Sequence, residues 1–356
     1  MAIFFSFITA FIATIIATPV SIFIIKKMGI LDDPKIHKHP GIIHKKPIPR
    51  GGGIPLLIGI VIAGIFFLPF TKTVIVLFLA SLLALLVGVI DDKYDISPYL
   101  RFIANIAIAV IVVGSGITVP FITSPMGGIL YLNLIKFPFD FLGFHLVFML
   151  SDIIAVLWII WVMNMLNWSK GVDGQMPGIV AISAVVIGLL SLRLAGSDHS
   201  GQISVILSFI IAGASLGFLI FNFYPAKIFP GYGATAVYLL LSAVSILSGA
   251  KLATAILVMG VPMIDGGFTI IRRLLTGRSP FWHDKKHLHH LLLSLGMGQR
   301  RIALFYWIIS AILGSLALVL SSQAKAFAII MLLIVLGGTL LFLHHIIKNT
   351  YDKDRL

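Results

Sequence analysis

Eleven apolar stretches, each close to the length that crosses a lipid bilayer, follow one another along this chain: 2–25, 54–70, 74–90, 102–120, 146–166, 179–194, 203–221, 234–247, 252–271, 303–320 and 326–343. An α-helix rises about 1.5 Å per residue, so about 20 apolar residues span a hydrocarbon core of about 30 Å. In hydrocarbon every backbone polar group must be satisfied within the protein, which restricts runs like these to helices. Composition agrees. Hydrophobic residues make up 59% of the chain and charged residues only 11%, against roughly a quarter charged in a soluble domain. The expected fold is an all-α polytopic membrane protein of about eleven transmembrane helices in one domain, 1–356, with no internal repeat. The first stretch lacks a preceding basic residue and a following small-residue cleavage site, so it reads as a retained helix rather than a signal peptide.

Lys26 and Lys27 directly follow that first stretch. Basic residues collect in cytoplasmic loops, which places the N-terminus outside and the first loop and the C-terminus in the cytoplasm. Under this arrangement 21 of the 26 Lys and Arg fall inside; the five outside are Lys72, Lys136, Arg193, Lys251 and Lys325. The net charge of +13 is therefore a property of one surface, suited to anionic lipid. Nucleic acid is not an expected partner, because no soluble domain or basic aromatic platform is present. With no cysteine, disulfides and thiolate chemistry are excluded. Two cytoplasmic loops, 26–53 and 272–301, are long and rich in His, Lys and Arg. The external stretch 119–144 contains ILYLNLIKFPF, whose alternation predicts a short β-hairpin over the outer surface.

All thirteen acidic residues are aspartate, and ten lie on the cytoplasmic side. Asp91 and Asp92 end the third apolar stretch in GVIDDKYDIS, where ionised groups are costly and usually face a cavity or partner. A helix C-terminus meeting water would favour cations instead. Paired carboxylates there suit divalent-metal ligation or proton abstraction. After the fifth stretch, NMLNWSKGVDG places Asn164, Asn167, Lys170 and Asp173 at spacings of three, one face of a helix if it continues, although Gly171 and Gly174 predict unwinding. Amides and a glycine-exposed backbone fit a nucleotide; a capped helix end with a glycine turn is the plainer alternative. His287, His289 and His290 sit among Arg272, Arg273, Arg278, Lys285 and Lys286. So cationic a setting favours a phosphate or diphosphate over a metal ion, with a solvated basic loop as the alternative. In the first loop, Lys45, Lys46 and Arg50 precede a glycine run that lacks the spacing of a nucleotide-binding fold. Asp265 is expected to pair with Arg272 or Arg273 across a helical turn.

Five segments together carry a resemblance. HKKPIPRGGG, GVIDDKYDIS, NMLNWSKGVDG, PAKIFPGYGAT and RSPFWHDKKHLHHLLL resemble, in order, the first cytoplasmic motif, the paired-aspartate motif, the asparagine-rich motif, the phenylalanine-glycine-aspartate loop and the histidine loop of the polyprenyl-phosphate N-acetylhexosamine-1-phosphate transferases. The resemblance covers nearly the whole chain. It implies transfer of a sugar 1-phosphate from a UDP-sugar to a polyprenyl phosphate in the cell membrane, with release of UMP, initiating a cell-envelope glycan at a cytoplasmic active site. Asp91, Asp92 and Asp173 would be catalytic, with Asp92 and Asp173 holding Mg²⁺, or Mn²⁺ in its place. Lys46, Arg50, Asn164, Asn167, Lys170, Lys227, His287, His289 and His290 would bind substrate, the asparagines at the uridine and the histidines at the diphosphate. A homodimer is compatible with such a protein.

Two departures stand out. Lys170 occupies the place of the first aspartate of the asparagine-rich motif, and Tyr232 that of the metal-binding aspartate in the phenylalanine-glycine loop. Besides an active transferase, a non-catalytic relative that binds lipid carrier or nucleotide sugar fits these losses. A transporter fits less well, because the polar groups gather at one face rather than at the membrane midplane.

Overall fold

A computed structural model describes residues 1–36, 43–124, 127–141, 144–194, 199–248, 252–282 and 284–353. Lys38, Lys251, Arg355, Asp198 and Asp354, counted in the charge distribution above, lie outside these. Thirteen helices run through the described residues: α1 Ala2–Lys27, α2 Gly53–Phe67, α3 Lys72–Tyr94, α4 Pro98–Gly114, α5 Leu150–Trp168, α6 Gln175–Leu194, α7 His199–Asn222, α8 Thr235–Leu247, α9 Leu252–Val258, α10 Gly260–Leu275, α11 Leu288–Ser294, α12 Gln299–Val319 and α13 Ser322–Lys353. Among the described residues a helix, or in 252–271 a bent pair of helices, occupies each of the eleven apolar stretches. Seven are long and apolar enough to cross a membrane, or eight if α9 and α10, bent by 85° at their junction, count as one. The helices α2, α4 and α8, with 15, 17 and 13 residues, reach only about 20–25 Å. The architecture is that of a multi-pass, mostly helical membrane protein.

Helices α1, α7 and α6 pack side by side, α2 lies against α1 and α7, and α8 is inserted between α3, α5 and α7. α8 is buried along nearly its whole length, so it forms the centre of the bundle. Three two-stranded antiparallel pairs supplement the helices. β1 (Leu31–Asp32) pairs with β2 (Ile48–Pro49), β3 (Phe121–Thr123) with β4 (Ile129–Tyr131), and β5 (Lys136–Phe141) with β6 (Phe144–Met149).

Chain direction explains why the chemistry collects at one end. α3 and α5 finish there at Tyr94 and Trp168, α7 at Asn222 and α10 at Leu275, while α2, α6 and α12 begin there. The loops joining these ends carry the five motif segments. Asp95, in the left-handed conformation (φ 47°), terminates α3, and α5 unwinds after Trp168 into a turn that Gly174 closes with φ 78°. Asn164 and Asn167 therefore lie on helix, while Lys170 and Asp173 lie beyond it.

Candidate functional site

The helix ends and loops enclose a cavity of about 520 Å³. Its wall includes Arg50, Arg101, Asn164, Asn167, Lys170, Asp173, Arg273, His287, His289 and His290, with Trp168, Tyr232, Phe281 and Trp282 as aromatic surface. Ten of the twelve expected site residues are thus in or behind one wall, and two are not: Lys46 and Lys227 are exposed and do not line the cavity. Both are long side chains on loops whose buried neighbours, Pro49 and Ile228, supply the packing.

Asp91 and Asp92 are buried at the end of α3 and stand behind the wall rather than on it. Arg101 Nη1 lies 3.1 Å from both oxygens of Asp91. Arg50 Nε lies 3.0 Å from Asp92 Oδ1, which also accepts the Tyr232 N–H at 2.7 Å, while Asp92 Oδ2 accepts the Gly233 N–H at 3.4 Å. The two carboxylates therefore present arginines to the cavity and spend their own lone pairs on doing so. Small residues make this approach possible. A Cβ on Gly88, one turn before Asp91, would fall 2.3 Å from Gly233 Cα, and a Cβ on Gly231 (φ 67°) would fall 2.1 Å from Asp92 Oδ2.

Tyr232 is buried, and its hydroxyl accepts a hydrogen bond from Asn105 Nδ2 at 3.0 Å. Its ring faces the Arg101 guanidinium at 5.3 Å and the Lys170 ammonium at 5.8 Å, two cations drawn to one π surface. Lys170 Nζ donates to the Gly231 carbonyl at 2.8 Å. Lys170 sits deep among protein atoms yet touches the cavity. Its burial, with Arg50 nearby, lowers its pKa to about 8.

The turn after α5 is pinned to the loop after α7. Asp173 Oδ2 accepts the Ala226 N–H at 2.9 Å, and burial raises the Asp173 pKa. Asn222 Oδ1 accepts the Gly174 N–H at 3.1 Å while Asn222 Nδ2 donates to the Ile228 carbonyl at 2.8 Å. Asn164 Nδ2 donates to Ile160 O at 2.8 Å, whereas Asn167 Oδ1 is buried with no partner among the described residues.

Asp265 corrects the expectation that it pairs with the arginines of its own helix. His287 Nδ1 lies 2.9 Å from Asp265 Oδ2, and the Leu288 N–H donates to Asp265 Oδ1 at 2.9 Å. Seven or eight residues place Arg272 and Arg273 two turns away, about 10 Å along the axis, and they reach Asp284 Oδ2 instead at 2.9 and 3.3 Å. The rings of His287 and His289 stack at 5.7 Å, and His290 packs 4.3 Å from His289. Burial lowers the pKa of His289 well below its ordinary value and that of His290 to about 4. His289 and His290 are thus neutral hydrogen-bonding groups, and Arg50, Arg101, Lys170 and Arg273 bring positive charge to the cavity wall.

The glycine run does not cradle a ligand. The N–H groups of Gly51 and Gly52 donate to Phe229 O, and that of Gly53 to Pro230 O. Nor do the residues present fit Mg²⁺, which takes near-octahedral oxygen ligands. Asp91 is engaged by Arg101, Asp92 by Arg50 and the Tyr232 and Gly233 amides, and Asp173 by the Ala226 amide, and no group of three His or Asp converges among the described residues. Lys170 and Tyr232 stand where two further carboxylates were expected.

Arg101, Asn105, Asn222 and Asp284 are site residues that the sequence did not single out. Arg101 alone carried a usable signal, being the only charged residue between Ser97 and Gly114, at the mouth of an apolar helix where a charge is costly.

Residues 74–249 match the model of glycosyl transferase family 4. The chain is 30% identical over 331 residues to the probable undecaprenyl-phosphate N-acetylglucosaminyl 1-phosphate transferase of Bacillus subtilis (strain 168), covering 89% of this chain and 84% of that protein. It is 29% identical to the decaprenyl-phosphate N-acetylglucosaminephosphotransferase of Mycobacterium tuberculosis (strain ATCC 25618 / H37Rv), over 98% and 90% of the two chains. With the undecaprenyl-phosphate alpha-N-acetylglucosaminyl 1-phosphate transferase of Escherichia coli (strain K12) it shares 27% identity, over 82% and 76%. Paired aspartates at the end of α3, the asparagine-bearing end of α5 and a histidine helix gather around one cavity in a chain related to these proteins along most of its length: the chain belongs to glycosyl transferase family 4.

Proposed function

We propose that this protein transfers an N-acetylhexosamine 1-phosphate from a UDP-sugar to a polyprenyl phosphate at the cytoplasmic face of the cell membrane, initiating a cell-envelope glycan. The observation that carries this reading is the single cavity in which amide, aromatic, arginine and histidine groups meet at one end of a membrane bundle, in a chain whose relatives are named for transfer to lipid phosphates. A phosphate oxygen of the lipid attacks the sugar-bearing phosphorus. The bond from that phosphorus to the bridging oxygen breaks, and UMP leaves with the electron pair while a lipid diphosphate forms. Such a transfer needs alignment and charge neutralisation more than covalent help. Arg50 and Arg101 supply hydrogen-bond donors, held in place by Asp92 and Asp91. Asn167, whose buried Oδ1 has no partner among the described residues, offers an acceptor to the uracil N–H, and Trp168 a stacking surface. The neutral His289 and His290 donate to phosphate oxygens.

A second reading, a relative that binds lipid carrier or nucleotide sugar without turnover, is favoured by the full engagement of Asp91 and Asp92 in ion pairs. UMP release from purified protein, undecaprenyl phosphate and a panel of UDP-sugars decides between them. Turnover is expected, with Asp91→Asn and Asp92→Asn each at least about tenfold slower, equal to about 1.4 kcal/mol of transition-state stabilisation. Binding without UMP release across the panel selects the second reading.

A further inference from the structure

We infer that the Lys170 ammonium takes the place of a divalent cation in this site, so that the donor's diphosphate is bound without metal. This rests on reading the cavity as a nucleotide-sugar site and adds what neutralises the diphosphate there.

Four Lys and Arg side chains line the cavity, and three are already balanced. Arg50 is paired with Asp92, Arg101 with Asp91 and Arg273 with Asp284. Among the described residues Lys170 is the one lining cation with no carboxylate within ion-pair distance; its partners are the Gly231 carbonyl and the Tyr232 ring. An ammonium carries three donors, so two remain after the bond to Gly231. A charge held away from bulk water without a counter-ion is costly, and an anionic ligand removes that cost. A divalent cation would do the reverse, meeting Lys170 as a like charge. It would also meet oxygen donors already turned to other partners, Asp91 to Arg101, Asp92 to Arg50 and the Tyr232 and Gly233 amides, and the Tyr232 hydroxyl to Asn105. Tyr232 completes the exchange by offering a neutral π face that two cations share.

The test is calorimetric titration of the full-length protein in lipid nanodiscs with UDP, once in excess EDTA and once in Mg²⁺. The native protein should bind UDP equally well, within about twofold, in both. In EDTA, Lys170→Met should weaken binding about thirtyfold, about 2 kcal/mol, the range of a hydrogen bond to a charged group. Lys170→Arg, which keeps the charge, should stay within about threefold of native. The double variant Lys170→Asp with Tyr232→Asp should bind UDP only with Mg²⁺. Native binding that requires Mg²⁺ overturns the inference while leaving the nucleotide site standing, and so does a Lys170→Met variant that binds like native or a double variant indifferent to Mg²⁺. Failure of the native protein to bind UDP in either condition removes the nucleotide reading together with the inference. Where Lys170→Met does not fold, as judged by thermal unfolding, the EDTA arm on native protein decides alone.

Discussion

Arg50 Nε lies 3.0 Å from Asp92 Oδ1, and that same oxygen accepts the Tyr232 N–H at 2.7 Å. One carboxylate therefore joins the end of α3 to the strand before α2 and to the loop that leads into α8. Removing one partner of a buried ion pair leaves the other uncompensated, at a cost of about 3–5 kcal/mol. Arg50→Met should fall at or below the low end of that range, because two backbone N–H groups still hold Asp92. Thermal unfolding in nanodiscs checks this. An unchanged midpoint would mean that the pair contributes nothing to holding these segments together.

Gly88 makes a sharper steric demand. Its missing Cβ would overlap backbone atoms of Gly233, which cannot swing aside as a side chain can. Overpacking of this kind typically costs about 1–3 kcal/mol, so Gly88→Ala should lower the unfolding midpoint and slow UMP release at least about tenfold. Gly267→Ala on α10, where the nearest atom would be 3.6 Å away on Trp161, should change neither. Equal behaviour of the two variants would show that α3 and the 231–233 turn are not closely packed.

Acid should destabilise the histidine helix. The folded protein holds His290 near pKa 4, chiefly through burial, with His287 and Lys285 beside it, whereas the unfolded chain titrates near 6.5. Between those values the unfolded state binds more protons, so stability is complete above about pH 6.5 and declines as pH falls toward 4. The unfolding midpoint measured across this window should drop, and His290→Gln should make the drop shallower. The same slope in the variant would assign the titration to other groups.

Orientation is open to direct labelling, because the chain has no cysteine of its own. Lys46→Cys and Lys285→Cys, exposed at the cavity end, should react with a membrane-impermeant thiol reagent only in inside-out vesicles. Lys72→Cys, at the other end of α3, should react only from outside. Labelling of Lys285→Cys in intact cells reverses the orientation and moves the cavity to the outer face.

The sequence announces Asp91 and Asp92 because carboxylates are scarce here and these two sit where hydrocarbon meets water. It does not announce that both turn toward arginines, since Arg101 belongs to the next helix and Arg50 lies forty residues away in another loop. The histidine cluster is equally visible, but its support is not. Asp265 reads most simply as a partner for arginines on its own helix, and only the fold around the α10–α11 loop brings His287 back beside it. The glycine run misleads for the same reason: its amides are taken by carbonyls at 229 and 230, a long-range pairing that local spacing does not encode. Apolar run length marked every helix except α11, which lies in a polar loop, and it did not mark the bend that divides 252–271 into α9 and α10.

Asp265 holds both His287 and the first amide of α11, and Asp284 is clasped by Arg272 and Arg273, so both ends of the intervening loop are fixed. Its tip at Gly277 is exposed, with open space where a side chain would sit. Insertions or deletions there would be absorbed at the tip without moving the histidine rings, and loop length in this part of the protein is free to drift while the geometry of the cavity stays constant.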